Sequence, residues 1–94
     1  MTAQIEPRVR AALTTVIDPE MGRSVVDLGL IYGVEISPSG AVLVTMTTTT
    51  RFCPLAGVLR EMVAAAVSGV DGVTSAVVKL TYEPAWTPQM IGAR

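Results

Sequence analysis

The sequence predicts an α+β fold: a two-layer α-β-β-α-β domain whose three-stranded sheet carries both main helices on one face. Three observations lead there. Residues 55–67 carry an apolar stripe, Leu55, Val58, Leu59, Met62, Val63, Ala66 and Val67, at helical spacing. Three other segments alternate apolar and polar residues with period two, around 30–36, 42–48 and 73–82. Glycine and proline punctuate the chain, with Gly29 and Gly33 interrupting the first strand segment. With 94 residues, half of them hydrophobic, the chain closes one core and has no room for a second. It therefore reads as one domain over residues 1–94.

The elements follow in order. Pro7 suits the first position of a helix, and Val9, Ala12, Leu13 and Val16 continue at helical spacing, which predicts a helix over 7–16. Asp18 precedes Pro19 and is pushed out of the α region, so the helix stops near Ile17. Asp18-Pro19-Glu20-Met21-Gly22 is then a loop. Leu28, Leu30, Tyr32, Val34 and Ile36 predict a strand with an irregular start at Asp27-Leu28-Gly29. Ser37-Pro38-Ser39-Gly40 is a turn with proline second, and the next strand completes a hairpin. The helical stripe ends at Ser68-Gly69 and Asp71-Gly72. Ala76, Val78, Leu80 and Tyr82 mark the third strand, expected beside the first so that all neighbours are antiparallel. Thr87-Pro88 reads as an N-cap and first position of a short terminal helix.

Composition removes whole classes of chemistry. There is no histidine and one cysteine, Cys53. Serine and cysteine catalysis with a histidine base, histidine-ligated metals, an internal disulfide and a cysteine-rich metal site within one chain are all excluded. Seven basic and eight acidic residues argue against nucleic-acid binding. No apolar run approaches the roughly 20 residues of a membrane span, and the N-terminus lacks the pattern of a signal peptide. A lone unpaired thiol suits a cytoplasmic, reducing setting.

Cys53 precedes Pro54, which is expected to open the second helix. That places the thiol at or beside the N-cap, where free N–H groups and the helix dipole favour thiolate. Arg51 adds positive charge nearby, and the Thr49 and Thr50 hydroxyls are close enough in sequence to donate to a thiolate or ligand. The bland alternative is a small buried cysteine after a β-prone threonine run. Asp18 and Glu20 have two readings as well: solvated acids in a helix-stop turn, or carboxylates near Cys53 acting as hard ligands, bases or partner contacts. Asp27 is expected to hydrogen-bond backbone at the strand start. Trp86 is expected to anchor a core or a dimer interface.

Taken together, Asp18-Pro19-Glu20, Val26-Asp27-Leu28-Gly29-Leu30-Ile31-Tyr32, Met46 through Thr50 to Cys53-Pro54, and Pro84 with Trp86-Thr87-Pro88 resemble the small iron–sulfur assembly domain of the SufT and PaaD type. That domain also occurs in eukaryotic cytosolic Fe–S targeting factors and at the start of some Mrp-type ATPases. The resemblance spans about residues 7–91. It implies maturation or delivery of Fe–S clusters, with motif residues at Asp18, Glu20, Thr49, Thr50 and Cys53. Arg51 and Phe52 depart from the proline or small residues common at those positions. The cysteine-rich extension of PaaD proteins is absent, which favours the SufT-like form.

A cluster takes about four protein ligands, mostly cysteine. One thiol per chain implies no stably bound cofactor. Three options follow: a transient cluster or iron at Cys53 shared between two chains and completed by small thiols, a cluster held at Cys53 during transfer from scaffold to client, or a Cys53 that takes no metal and contacts partners. The leading expectation is an adaptor or transient carrier, without enzymatic activity. Its partners are an Fe–S scaffold, client proteins and an Mrp-type ATPase, with homodimerisation through apolar surface. Two other classes remain open: a thiol enzyme with Cys53 as nucleophile, and a structural subunit in which Cys53 is buried and inert.

Overall fold

The computed structural model describes residues 2–49 and 55–92. The elements run α1 (Thr2–Leu13), β1 (Ile31–Ile36), β2 (Ala41–Met46), α2 (Ala56–Ser68), β3 (Ser75–Leu80) and a 3-10 turn, Pro88–Met90. The predicted α-β-β-α-β order holds.

Helix α1 differs from expectation at both ends. It begins five residues before Pro7, which lies inside the helix rather than at its first position. A proline there removes one N–H from the ladder, a loss tolerated most easily close to the N-terminus. The helix ends at Leu13 rather than 16. The Thr15 hydroxyl donates to the Ala12 carbonyl at 2.6 Å, and the Thr15 and Val16 amides bond three residues back. These tighter bonds draw the chain out of the α ladder while keeping Val16 buried.

The hairpin forms as expected. Ser37–Gly40 closes with Gly40 N–H donating to the Ser37 carbonyl at 3.0 Å. Strands β1 and β2 pair antiparallel, with Val34 against Val44 and Glu35 against Leu43. The register slips between Ile31 and Gly33, so Tyr32 is an extra residue on β1, a bulge that redirects its side chain.

The third strand corrects the expected topology. The sheet order is β1-β2-β3, and β3 lies parallel to β2, not antiparallel to β1. Segment 47–74, which contains α2, is thus a crossover between adjacent parallel strands. Period-two alternation exposes the same residues whichever neighbour a strand chooses, so the pattern alone does not distinguish the two pairings.

Both helices feed one core. Val9 and Leu13 of α1 and Leu59, Val63 and Val67 of α2 cluster with Val42, Val44 and Met46 from one side of β2. Val25, Leu28 and Leu30 from the irregular segment before β1 complete it. Full burial of each such side chain contributes about 1.5–3 kcal/mol before entropy is counted. No helix is long and apolar enough to cross a membrane among the described residues.

Candidate functional site

The parallel β2/β3 pair has a carboxyl end, and the chain leaves β2 there along Thr47, Thr48 and Thr49. In sheets with parallel crossovers, ligand-binding segments gather at that end. The Thr47 amide bonds the Leu30 carbonyl at 2.9 Å, and the Thr81 amide bonds the Met46 carbonyl at 2.9 Å. The starts and ends of all three strands are thereby tied together at the exit of β2.

Two tyrosines reinforce this exit. Thr48 is buried, and its hydroxyl lies 2.9 Å from that of Tyr82, just beyond β3. Tyr32, turned by the β1 bulge, donates to the Pro84 carbonyl at 2.8 Å and hydrogen-bonds the Thr47 side chain. Desolvation of the Tyr32 phenol raises its pKa above 10, and the bond to Thr47 partly offsets this. Neither tyrosine stands among the site residues predicted from sequence. Their partners are 34 and 52 residues away, beyond the reach of local pattern. The only local signal is a hydroxyl-bearing residue at each strand end.

The segment after β3 closes over the approach to β1. Trp86 Nε1 donates to the Leu28 carbonyl at 2.7 Å, and Gly92 N–H donates to the Asp27 carbonyl at 2.6 Å. Gly29, at φ +75°, sits directly under Met90, where an added Cβ would lie 2.5 Å from the Met90 carbonyl oxygen. Trp86 is the core anchor expected of it. Thr87 and Pro88 do start a 3-10 turn, although the Thr87 side chain makes no capping bond.

The acidic turn is built around Asp18. Its side chain is buried, with Oδ1 accepting from the Glu20 amide at 2.8 Å. Its carbonyl accepts from Gly22 N–H at 2.8 Å, and its own amide bonds Arg23 O. Asp18 is thus the internal brace of the turn rather than one of two solvated acids. Glu20, two positions after Asp18, is exposed. Asp27 departs from expectation: its carboxylate accepts from Arg23 Nε at 2.6 Å, while its backbone N–H donates to the Ser24 hydroxyl oxygen.

Thr49 is half-buried just past the tyrosine-held pair. Thr50, Arg51, Phe52, Cys53 and Pro54 lie outside the described residues, so the predicted meeting of Asp18 and Glu20 with Cys53 is not among the contacts seen. Helix α2 starts later than Pro54: its N-cap is Leu55, two positions after Cys53 in sequence. No cluster of three or more Asp, Glu, His or Cys suited to a metal occurs among the described residues.

Comparison with known proteins bears on this arrangement. The profile of the iron–sulfur cluster assembly protein family matches residues 6–79. The chain belongs to the iron–sulfur cluster assembly family. A Porphyromonas gingivalis relative, an Fe-S protein maturation auxiliary factor, is 43% identical over 88 residues, 94% of this chain and 84% of its own. The Staphylococcus aureus maturation auxiliary factor SufT is 33% identical over 81% of this chain and 86% of its own. An iron–sulfur cluster carrier protein of Mycobacterium bovis is 41% identical over 73% of this chain but only 18% of its own length. A crystal structure from Bacillus anthracis, described as a domain of unknown function, superposes with TM-score 0.91 at 33% identity, over 97% of this chain and 87% of that one. The resemblance read from the sequence and its α+β fold class both stand.

Proposed function

We propose that this chain acts in iron–sulfur protein maturation as an adaptor or transient carrier, handing clusters from a scaffold to client proteins through Cys53. One observation carries the reading: the segment bearing Cys53 leaves β2 at the carboxyl end of the parallel pair, from a base held by Tyr32 and Tyr82. The cluster is cargo. One thiol in the chain leaves most ligand positions to be filled by a second copy, a small thiol or a client. In this reading Asp18, Glu20, Thr49 and Thr50 serve the thiol's site. The reading places the protein in the cytoplasm, with an Mrp-type ATPase among its partners.

Anaerobic reconstitution with iron and sulfide compares the native protein with Cys53→Ser. The expected result is absorbance and metal content in the native protein that the variant lacks. In cells deprived of the native chain, Cys53→Ala fails to restore Fe–S enzyme activity. Full restoration by Cys53→Ala overturns the thiol role.

A further inference from the structure

The sheet has two faces, and the helices cover only one. Val42, Val44 and Met46 of β2 are buried, while the alternate residues Ala41, Leu43 and Thr45 face away and remain half-buried. The pairing register puts Glu35, Leu43 and Val77 in one row across this open face, and Gly33, Thr45 and Lys79 in the next. Val77 is 58% exposed, large for a valine in mid-strand. A hollow lined by Glu35, Ile36, Ser37, Ala41 and Leu43 lies on the opposite side of the same sheet from β3. The face therefore carries an apolar knob at one edge, an apolar hollow at the other, an acid on β1 and a base on β3.

We propose that this open face is the contact between two copies of the chain. A twofold axis running along the strands lays β3 of one copy over β1 of its partner. Val77 of each copy then meets the other's hollow beside Leu43, and Lys79 of each comes alongside the other's Glu35. The surface is complementary to itself in shape and in charge, as a closed twofold contact requires. Edge-to-edge pairing through β3 would bury Val77 but leave Glu35, Leu43 and the hollow uncovered. A strand-parallel axis has a further consequence, which bears on the carrier reading above: both β2 exits, Thr47 to Thr49 of each copy, lie at the same end of the dimer.

Sedimentation equilibrium of the full chain over about 10 μM to 1 mM tests this, a range suited to a modest interface. The native protein is expected to dimerise, with an affinity that falls as salt rises. Lys79→Glu and Glu35→Lys each weaken the dimer at least tenfold, and the double exchange Glu35→Lys/Lys79→Glu recovers most of the loss. Both positions are exposed, so unchanged thermal unfolding shows that the fold is intact. Val77→Glu gives an independent loss. The proposal is overturned by a monomer throughout the range, by a dimer indifferent to these charges, or by an open face that these substitutions show to bind a client instead. The thiol reading is separable, because Cys53→Ala leaves dimerisation untouched whether or not maturation fails.

Discussion

Gly29 and Gly22 offer a matched pair of perturbations. Both have positive φ, +75° and +71°, where an L side chain is strained. Around Gly22 an added Cβ meets nothing within 4 Å, so Gly22→Ala carries only the backbone cost, about 1–2 kcal/mol. At Gly29 the same Cβ meets the Met90 carbonyl oxygen at 2.5 Å and Met90 Cβ at 2.9 Å. Backbone does not yield as a flexible side chain does, so the segment after β3 must lift. Lifting breaks the Gly92–Asp27 bond and strains the Trp86–Leu28 bond, at about 1 kcal/mol net for each. Gly29→Ala is therefore expected to cost about 3–4 kcal/mol, roughly 2 more than Gly22→Ala. Urea unfolding measures both losses. Trp86 is the chain's one tryptophan, so its emission reports displacement of the segment directly, with a red shift expected for Gly29→Ala alone. Equal losses in the two variants, or native emission from Gly29→Ala, would refute the reasoning.

Other substitutions separate the braces around the site. Trp86→Phe keeps the ring but strips the buried Leu28 carbonyl of its partner, with an expected loss of about 1–3 kcal/mol in denaturant unfolding. Asp18→Ala removes the acceptor inside the acidic turn and should lower stability by about 1–2 kcal/mol, comparable to losing a helix cap; Asp18→Asn, which keeps an oxygen there, loses less. Tyr32 makes stability depend on alkaline pH. Its folded pKa lies above the ordinary 10, so its contribution is complete below that value. As pH rises past 10 the unfolded chain releases its proton first, and stability declines. Tyrosinate absorbance should show the Tyr32 phenol titrating late in the native protein, a signal absent from Tyr32→Phe, which should also flatten the alkaline loss.

What the sequence reveals about this molecule follows the range of each interaction. The α2 stripe and the hairpin were legible because their signals lie within a dozen residues: buried Leu59, Val63 and Val67 all belong to the predicted stripe. The place of β3 was not, since Ala76, Val78 and Leu80 turn toward the helices beside either neighbour. The helix start was misplaced because Pro7 stands beyond the first turn of α1, a position where proline removes a ladder bond and which its usual place at helix starts does not suggest. At the site, the turn at Asp18 was visible in Asp-Pro, but its burial was not. The tyrosine contacts to Thr47 and Thr48 needed the bulge at Tyr32 and the crossover to β3, both products of tertiary assembly.

The central place of β2 bears on how the protein moves in time. Both of its edges are hydrogen-bonded, whereas β1 and β3 each have one outer edge. Amides along β2 should accordingly surrender their protons to solvent only when the whole fold opens, while outer strands exchange through smaller openings. The Thr47 amide, locked to Leu30, extends that slowest-exchanging stretch one residue past the end of β2. A labelling pulse would find the slowest exchange along β2 and at Thr47.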